Sequence, residues 1–297
     1  MQSSTLQLNS GTPPRLCHIP PFTKSLGEAA NNLCHLAGLE LDDWQQFVLG
    51  NSLGFTDEGL WSARNVGLCI SRQNGKTILL EARALVSLFV LQEPLCVHTA
   101  HQADTAYEQF NKIRNRIENT PELASRVDSI KGGHGKEEIK LVRNAAGVAP
   151  RLTFRTRTGA GGLGFSVNTL IFDEAMIIPD ETQGALLPTQ SAVPNPQTWY
   201  VGSAVDAQQH EDGMAFARIR EAGERKDATT AFFEWSAAGC DDPERIHKIA
   251  DSEQAWREAN PGFGIRITAE TIQAERAAMN PRQFAVMRDL LWTTELT

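Results

Sequence analysis

Apolar and polar positions follow two different periods along the chain. Short apolar runs of strand length begin near residue 66, and longer stretches with apolar residues three or four apart separate them. The predicted strands are 66–70, 94–100, 138–142, 151–155, 169–174 and 198–203, with 232–235 as a further candidate. The predicted helices are 24–36, capped by Thr23, then 41–49, 77–86 and 103–117. Strands that alternate with helices predict an α/β fold with a mainly parallel sheet covered on both faces.

A segment between the first of these strands and its helix has the pattern of a phosphate-binding loop. Gly75, Lys76 and Thr77 fit the end of G-x-x-x-x-G-K-[ST], although Ile70 stands where the first glycine is usual. Backbone N–H groups and the positive end of the helix would face a polyphosphate. Lys76 would reach its terminal phosphates and the Thr77 hydroxyl would ligate Mg²⁺. The nucleotide-binding candidates here are Ser71, Arg72, Gln73, Asn74, Gly75, Lys76 and Thr77.

A second signature is the apolar run 170–172 that ends in Asp173 and Glu174. ATP hydrolysis needs one carboxylate near the metal and another that orients or deprotonates the attacking water. We assign the metal to Asp173, with Thr77, and the water to Glu174. The alternative is a strand that ends in solvent with two surface acids, which is common for a single strand.

Two weaker elements accompany these. Gln45, next to Trp44, could bond the N6/N7 edge of adenine through its amide; it also fits an ordinary surface helix. Gly202, Ser203 and Ala204 follow a strand where a small polar residue could sense the γ-phosphate and couple it to a neighbouring subdomain. A plain turn from strand to loop explains the same residues.

Composition narrows the class of protein. The 297 residues suffice for a large α/β domain with a smaller appendage, and the five widely spaced cysteines favour reduced thiols in a cytosolic protein. The longest apolar run is too short to span a membrane, so we expect no membrane partner. The net charge is −8, yet residues 112–157 contain eleven basic residues against five acidic ones. Such a stretch could contact DNA phosphates or be an ordinary solvated face.

These elements in this order resemble the large subunit of tailed-bacteriophage terminases, the motor that packages viral DNA. The resemblance runs from about Ser25 to the C-terminus and includes Ala255-Trp256 and Asn260-Pro261, which are similar to the linker that follows the motor core. It implies a P-loop NTPase (RecA/ASCE-like) fold with a small helical linker subdomain. We divide the chain into a loose arm at 1–22, an ATPase core at 23–230 and a linker or lid at 231–297.

The same resemblance implies a function and partners. The cofactors would be ATP and Mg²⁺, and the activity would be ATP hydrolysis that drives double-stranded DNA into a procapsid. Lys76, Arg72 and Glu174 would be catalytic. The expected partners are double-stranded DNA, the portal protein, the terminase small subunit and further copies of the chain in a ring. The expected location is the host cell cytoplasm, with the protein docked on the procapsid.

Two features depart from the family pattern. Many relatives carry an arginine finger in the glycine-rich loop before the acidic strand, where this chain has Leu163; Arg72, Arg155 or Arg157 could replace it. The acids after Asn260 (Glu270, Glu275, Asp289 and Glu295) are too few for the family's nuclease domain, so we expect no nuclease activity. The alternatives are a helicase-like nucleic-acid ATPase and a non-enzymatic DNA- or portal-binding module with a vestigial nucleotide pocket.

Overall fold

The computed structural model describes residues 6–9, 11–133, 135, 137–157, 164–206, 209–240, 242–289 and 292. The strands in this part of the chain are β1 (Leu16–His18), β2 (Lys24–Ser25), β3 (Gly54–Phe55), β4 (Asn65–Cys69), β5 (Cys96–Ala100), β6 (Val127–Lys131), β7 (Glu138–Leu141), β8 (Arg151–Thr156), β9 (Thr169–Asp173), β10 (Gln197–Gly202) and β11 (Thr230–Glu234).

The α-helices range in length from 4 to 16 residues. They are α1 (Gly27–Leu36), α2 (Asp43–Ser52), α3 (Lys76–Phe89), α4 (Ala103–Glu118), α5 (Pro121–Ala124), α6 (Asp180–Leu186), α7 (Met214–Glu224), α8 (Ile246–Ala250), α9 (Glu253–Ala259), α10 (Ala269–Ala278) and α11 (Pro281–Phe284). A single π-helical turn follows α11 at Ala285–Asp289.

Nine described strands form one sheet in the order β1-β11-β4-β10-β9-β5-β8-β7-β6. The six strands from β11 to β8 are parallel, and antiparallel strands lie outside them at both edges. The carboxyl ends of the parallel strands therefore meet at one edge of the sheet, which is where open α/β sheets bind ligands. The predicted α/β fold with a mainly parallel sheet is confirmed.

Each face of the sheet has its own apolar core because side chains alternate along a strand. On β10, Trp199 and Val201 belong to the core beneath α1 to α4, whereas Tyr200 faces the core beneath α6 and α7. All three side chains are almost completely buried. Both faces are thus covered, as the continuous apolar runs of the central strands require.

The domain limits differ from those expected. Residues 16–18, within the predicted loose arm, form β1 and pair with β11. The expected limit at residue 230 falls at the start of β11, which lies inside the sheet beside β4. Phe232 and Phe233 are fully buried there. Burial of these two rings makes residues 230–234 part of the core instead of the beginning of a linker.

No helix in the described ranges is both long and apolar enough to cross a lipid bilayer.

A buried polar network joins α3 to the amino ends of two central strands. The Arg83 side chain is fully buried; it donates to Thr169 Oγ1 at 2.5 Å and to Gln197 Oε1 at 3.2 Å. A Glu93 carboxylate oxygen lies 3.7 Å from the same guanidinium. Loss of one partner from such a pair leaves the other charge buried without compensation.

We expect Arg83→Leu to lower the free energy of unfolding by about 3–5 kcal/mol, because it strands the buried Glu93 carboxylate. Urea denaturation followed by tryptophan fluorescence measures this. The matched control is Arg218→Leu, which removes an exposed pair with Asp180 and should cost less than about 1 kcal/mol. Equal losses for the two variants would contradict the assignment.

Candidate functional site

Residues 71–77, termed the phosphate loop from here on, connect β4 to α3 at the carboxyl edge of the sheet. The backbone is left-handed at Gln73 and at Gly75, which caps α3 with φ of 101°. Only glycine adopts that conformation readily. Ile70 has no left-handed backbone, and its side chain is fully buried in the core. The fold therefore does not require a glycine at position 70.

Lys76 is the first residue of α3, and its ammonium group lies inside the loop. Nζ donates to the carbonyls of Ile70 at 3.2 Å and Ser71 at 3.1 Å. Burial lowers the pKa of Lys76 to about 8, and the nearby Asp173 carboxylate opposes that shift. A polyanion that enters the loop would supply a better partner for this ammonium group than two carbonyls do.

The paired acids lie at the carboxyl end of β9, and their conformations differ. Asp173 is buried, and its Oδ1 accepts from the Glu174 N–H at 2.9 Å. Burial by itself would raise the pKa of Asp173, but the adjacent His98 ring, the Glu174 N–H and Lys76 together lower it. Glu174 is half-buried and left-handed with φ of 54°, and its Oε2 accepts from the His101 N–H at 3.3 Å.

The donor set suits Mg²⁺ that arrives with a nucleotide. Mg²⁺ is usually coordinated by one or two carboxylates together with substrate phosphates and water, and Ser or Thr hydroxyl oxygens can also coordinate it. Asp173 supplies a carboxylate that is kept ionised, and Thr77 supplies a hydroxyl in the first turn of α3. Among the described residues, no group of three or more His, Cys, Asp or Glu side chains could bind a metal by itself.

Gly202 lies between the phosphate loop and the paired acids. Its carbonyl accepts from the Ile70 N–H at 3.0 Å, and the neighbouring Val201 carbonyl accepts from the Ala175 N–H at 2.9 Å. A Cβ atom at Gly202 would lie 3.1 Å from the Ala175 nitrogen, so a larger residue would crowd that turn. Ser203 and Ala204 continue this segment and are buried.

Gln45, in α2, contacts the phosphate loop at Gly75. It is fully buried; its Oε1 accepts from the Asp42 N–H at 2.8 Å and its Nε2 donates to the Gly75 carbonyl at 2.9 Å. Both ends of the Gln45 amide therefore bond backbone groups in this conformation, one at the start of α2 and the other in the phosphate loop. Trp44 points into the core, where its ring packs edge-on against Trp235 at 5.5 Å.

The C-terminal helices also contact the phosphate loop, which no sequence pattern had indicated. Asn74 Nδ2 donates to Asn260 Oδ1 at 3.0 Å, and Asn74 Oδ1 accepts from the Gly262 N–H at 2.9 Å. Ser71 donates to the same Asn260 oxygen. The turn at 260–262 thereby fixes two of the side chains that the sequence assigned to nucleotide binding.

Arg288 forms a second contact between these helices and the loop. Its guanidinium is almost completely buried and donates to the Arg72 carbonyl at 2.7 Å and to Gln73 Oε1 at 3.0 Å. Glu275 neutralises it through two bonds of 2.5 and 2.6 Å. The Arg72 side chain itself is exposed at the loop.

The other arginine candidates have different surroundings. Arg155 is half-buried and donates to the Gly135 carbonyl at 2.9 Å. Arg157 is buried and bonds backbone carbonyls at the ends of β5 and β9. Leu163, the position expected for a finger, lies outside the described residues.

A cavity of about 780 Å³ opens beside the phosphate loop. Thr77 and Glu81 of α3 line one wall, Arg116 of α4 lines another, and Arg266 extends over Gly75. Arg266 is paired with Asp42 at 2.6 Å. The cavity is of a size that accepts a small organic ligand.

Six of the ten basic residues described between positions 112 and 157 form ion pairs with acids. The pairs in the described part are Lys112–Glu108, Arg114–Glu118, Arg116–Glu81, Lys131–Glu138, Lys140–Asp128 and Arg151–Glu138. Lys136 lies outside the described residues. These ion pairs offset part of the positive charge of the stretch, and its contact with DNA stays a prediction.

No protein-family model and no curated protein matches the chain. Solved structures do. The large terminase of bacteriophage HK97 superimposes with a TM-score of 0.68 at 21% identity, over 90% of this chain and 55% of that one. The large terminase ATPase domain of Thermus phage P74-26 gives 0.57 at 14% identity, over 89% of this chain and 98% of that domain.

The chain has the fold of a large terminase ATPase domain. A third similar structure is the large terminase of a thermophilic bacteriophage in complex with ATP-γ-S, with a TM-score of 0.53 at 8% identity, over 78% of this chain and 48% of that one. The chain spans about half the length of the HK97 and the thermophilic-phage large terminases that it resembles.

We expect the affinity for ATP-γ-S to fall above pH 8. The pKa of Lys76 is about 8 in the free protein, so the amine loses its charge as the pH rises through that value. A bound polyanion favours the charged form, so the dissociation constant should rise about tenfold between pH 7 and pH 9. Isothermal titration calorimetry measures it. Lys76→Arg stays charged and should show a flat profile; a flat profile for the wild type would contradict the assignment.

Proposed function

We propose that this chain is the Mg²⁺-dependent ATPase motor domain of a phage terminase large subunit, which moves double-stranded DNA into a procapsid. One observation carries the proposal. On a terminase-type fold, Lys76 inside the phosphate loop, the Asp173-Glu174 pair and the Gly202 turn lie together at one sheet edge, joined by the backbone bonds of Ile70 and Ala175.

The positions of the groups support the following proposed roles. Lys76, Arg72 and the loop N–H groups bind the phosphates, with Ser71, Gln73, Asn74 and Gly75 shaping the loop. Asp173 and Thr77 hold Mg²⁺, which neutralises charge on the phosphates when bound. Glu174 orients or deprotonates the attacking water. Arg72 is the candidate for stabilising the transferring phosphoryl group, because its side chain is exposed at the loop.

The cavity beside the loop accounts for the rest of the nucleotide. It begins at Thr77 and extends toward Arg116 and Arg266, so we assign it to the adenosine part. In the described conformation the Gln45 amide donates to the Gly75 carbonyl and is fully buried. Its second N–H and its second oxygen lone pair could bond adenine only if the residues that bury the amide moved apart.

The partners are proposed from the same motor function. Double-stranded DNA would be bound through its phosphates, since a packaging motor must ignore sequence. The portal protein, the small subunit and further copies of the chain in a ring would complete the motor in the host cytoplasm.

We expect Glu174→Gln to abolish ATP turnover, by at least about a hundredfold, because the amide cannot accept a proton from water. Affinity for ATP-γ-S should stay within about threefold, because Glu174 contributes little to ground-state binding. Phosphate release and calorimetry measure the two quantities. Glu181→Gln, an exposed acid in α6, is the control and should keep full turnover.

Turnover that survives in Glu174→Gln would refute the assignment of Glu174. If the wild-type chain binds DNA or a portal but shows no turnover with either partner present, the non-enzymatic module becomes the better description.

We expect Ser203→Ala to separate hydrolysis from coupling. Ser203 follows Gly202, whose carbonyl accepts a hydrogen bond from the Ile70 N–H just before the phosphate loop. A change at the γ-phosphate could therefore be transmitted through this segment. DNA-free turnover should remain within about threefold, whereas stimulation by double-stranded DNA should be lost. Steady-state assays with and without DNA measure this. Retained stimulation would assign the coupling to another residue.

A further inference from the structure

Arg157 carries a charge that the roles assigned above leave unused. It follows β8 directly and is only 4% exposed. Nη1 donates to the carbonyls of Asp173 at 2.6 Å and Thr99 at 3.4 Å, and Nη2 donates to the Glu174 carbonyl at 3.1 Å. Burial of a guanidinium is costly unless hydrogen-bond acceptors surround it, and these three carbonyls are the acceptors here.

The two carbonyls of Asp173 and Glu174 belong to consecutive residues. In an extended strand, consecutive peptide groups face opposite directions, so a single guanidinium could not reach both. The left-handed backbone of Glu174, with φ of 54°, turns the chain so that both carbonyls face Arg157. A non-glycine residue in this conformation is strained, so the contacts around it must offset that strain.

The same turn determines where the Glu174 carboxylate lies. The side chain leaves the strand direction and accepts from the His101 N–H at 3.3 Å, at the end of the neighbouring strand β5. Thr99, which also accepts from Arg157, lies on that strand. Arg157 therefore ties together the two strand ends between which the carboxylate is held.

We propose that Arg157 is a positioning residue that acts within its own subunit. Its forked guanidinium holds the left-handed turn at Glu174 and so places the carboxylate that the proposed ATP hydrolysis uses. The inference rests on that proposed function. A planar fork is needed for two successive carbonyls, and the single ammonium group of lysine is a poor substitute. Burial lowers the pKa of Arg157 to about 10, so the group remains charged at neutral pH.

The test compares Arg157→Gln, Glu174→Gln and the double variant in ATP turnover. We expect Arg157→Gln to lower kcat by at least about thirtyfold and to change ATP-γ-S affinity by less than about threefold. In the Glu174→Gln background it should cause no further loss, because residues that act as a unit are not additive. Arg157→Lys should recover only part of the rate.

Two outcomes would overturn the proposal. Losses that multiply in the double variant would mean that Arg157 acts independently of Glu174. Turnover restored by mixing Arg157→Gln protein with Lys76→Ala protein would identify Arg157 as a finger that acts on a neighbouring subunit. Arg220→Gln, which removes a partner of the buried Glu234, controls for stability: its melting temperature should fall while its turnover stays within about twofold.

A second measurement does not depend on turnover, so it tests the positioning role of Arg157 even if the wild type hydrolyses no ATP. Hydrogen–deuterium exchange of the peptide spanning 170–176 should speed up in Arg157→Gln, because the Ala175 N–H bond to Val201 follows the held turn. It should stay unchanged in Arg220→Gln. Equal exchange in wild type and Arg157→Gln would refute the positioning role, whereas absent wild-type turnover alone refutes only the proposed hydrolysis.

Discussion

The parallel pairing of β10 with β4 on one side and β9 on the other is the constraint on which the rest of the structure depends. β4 leads into the phosphate loop and β9 ends at Asp173, so β10 fixes the distance between them. The bonds from the Ile70 and Ala175 N–H groups attach both segments to the end of β10. A slip of β10 by one residue against its neighbours would turn each β10 side chain to the opposite face of the sheet. Trp199 and Tyr200 would then each face the core that now holds the other.

Buried charge at this edge is balanced mostly by backbone groups. Lys76 is bonded to two carbonyls, Arg157 to three, and Asp173 accepts an N–H. Carbonyls are weaker partners for a cation than an anion is, so a polyphosphate would bind Lys76 more strongly than its two carbonyls do. These backbone contacts explain how the fold accommodates several buried charges at this edge.

Much of the fold and part of the site could be predicted because they depend on near neighbours. Strand and helix periods predicted the parallel sheet, and Gly75-Lys76 marked the turn that begins α3. The contacts of Asn260 and Arg288 with the phosphate loop join residues 186 and 216 positions apart, and no local pattern encodes such a distance. The ion pairs of the basic stretch were missed for the same reason, since a pair such as Lys140–Asp128 forms only when its two strands pair.

The sequence by itself determined where the phosphate loop, the start of α3 and the acids at the end of β9 lie, because turns, helix starts and strand ends follow from a few adjacent side chains. Only the tertiary structure decided what surrounds them. Gln45 is buried beneath Gly75, and Arg157 lies under Glu174 where solvent does not reach it. Both arrangements depend on the order of strands in the sheet, because the partners of a buried polar group are set by which backbones are adjacent, and adjacency is a property of the whole fold.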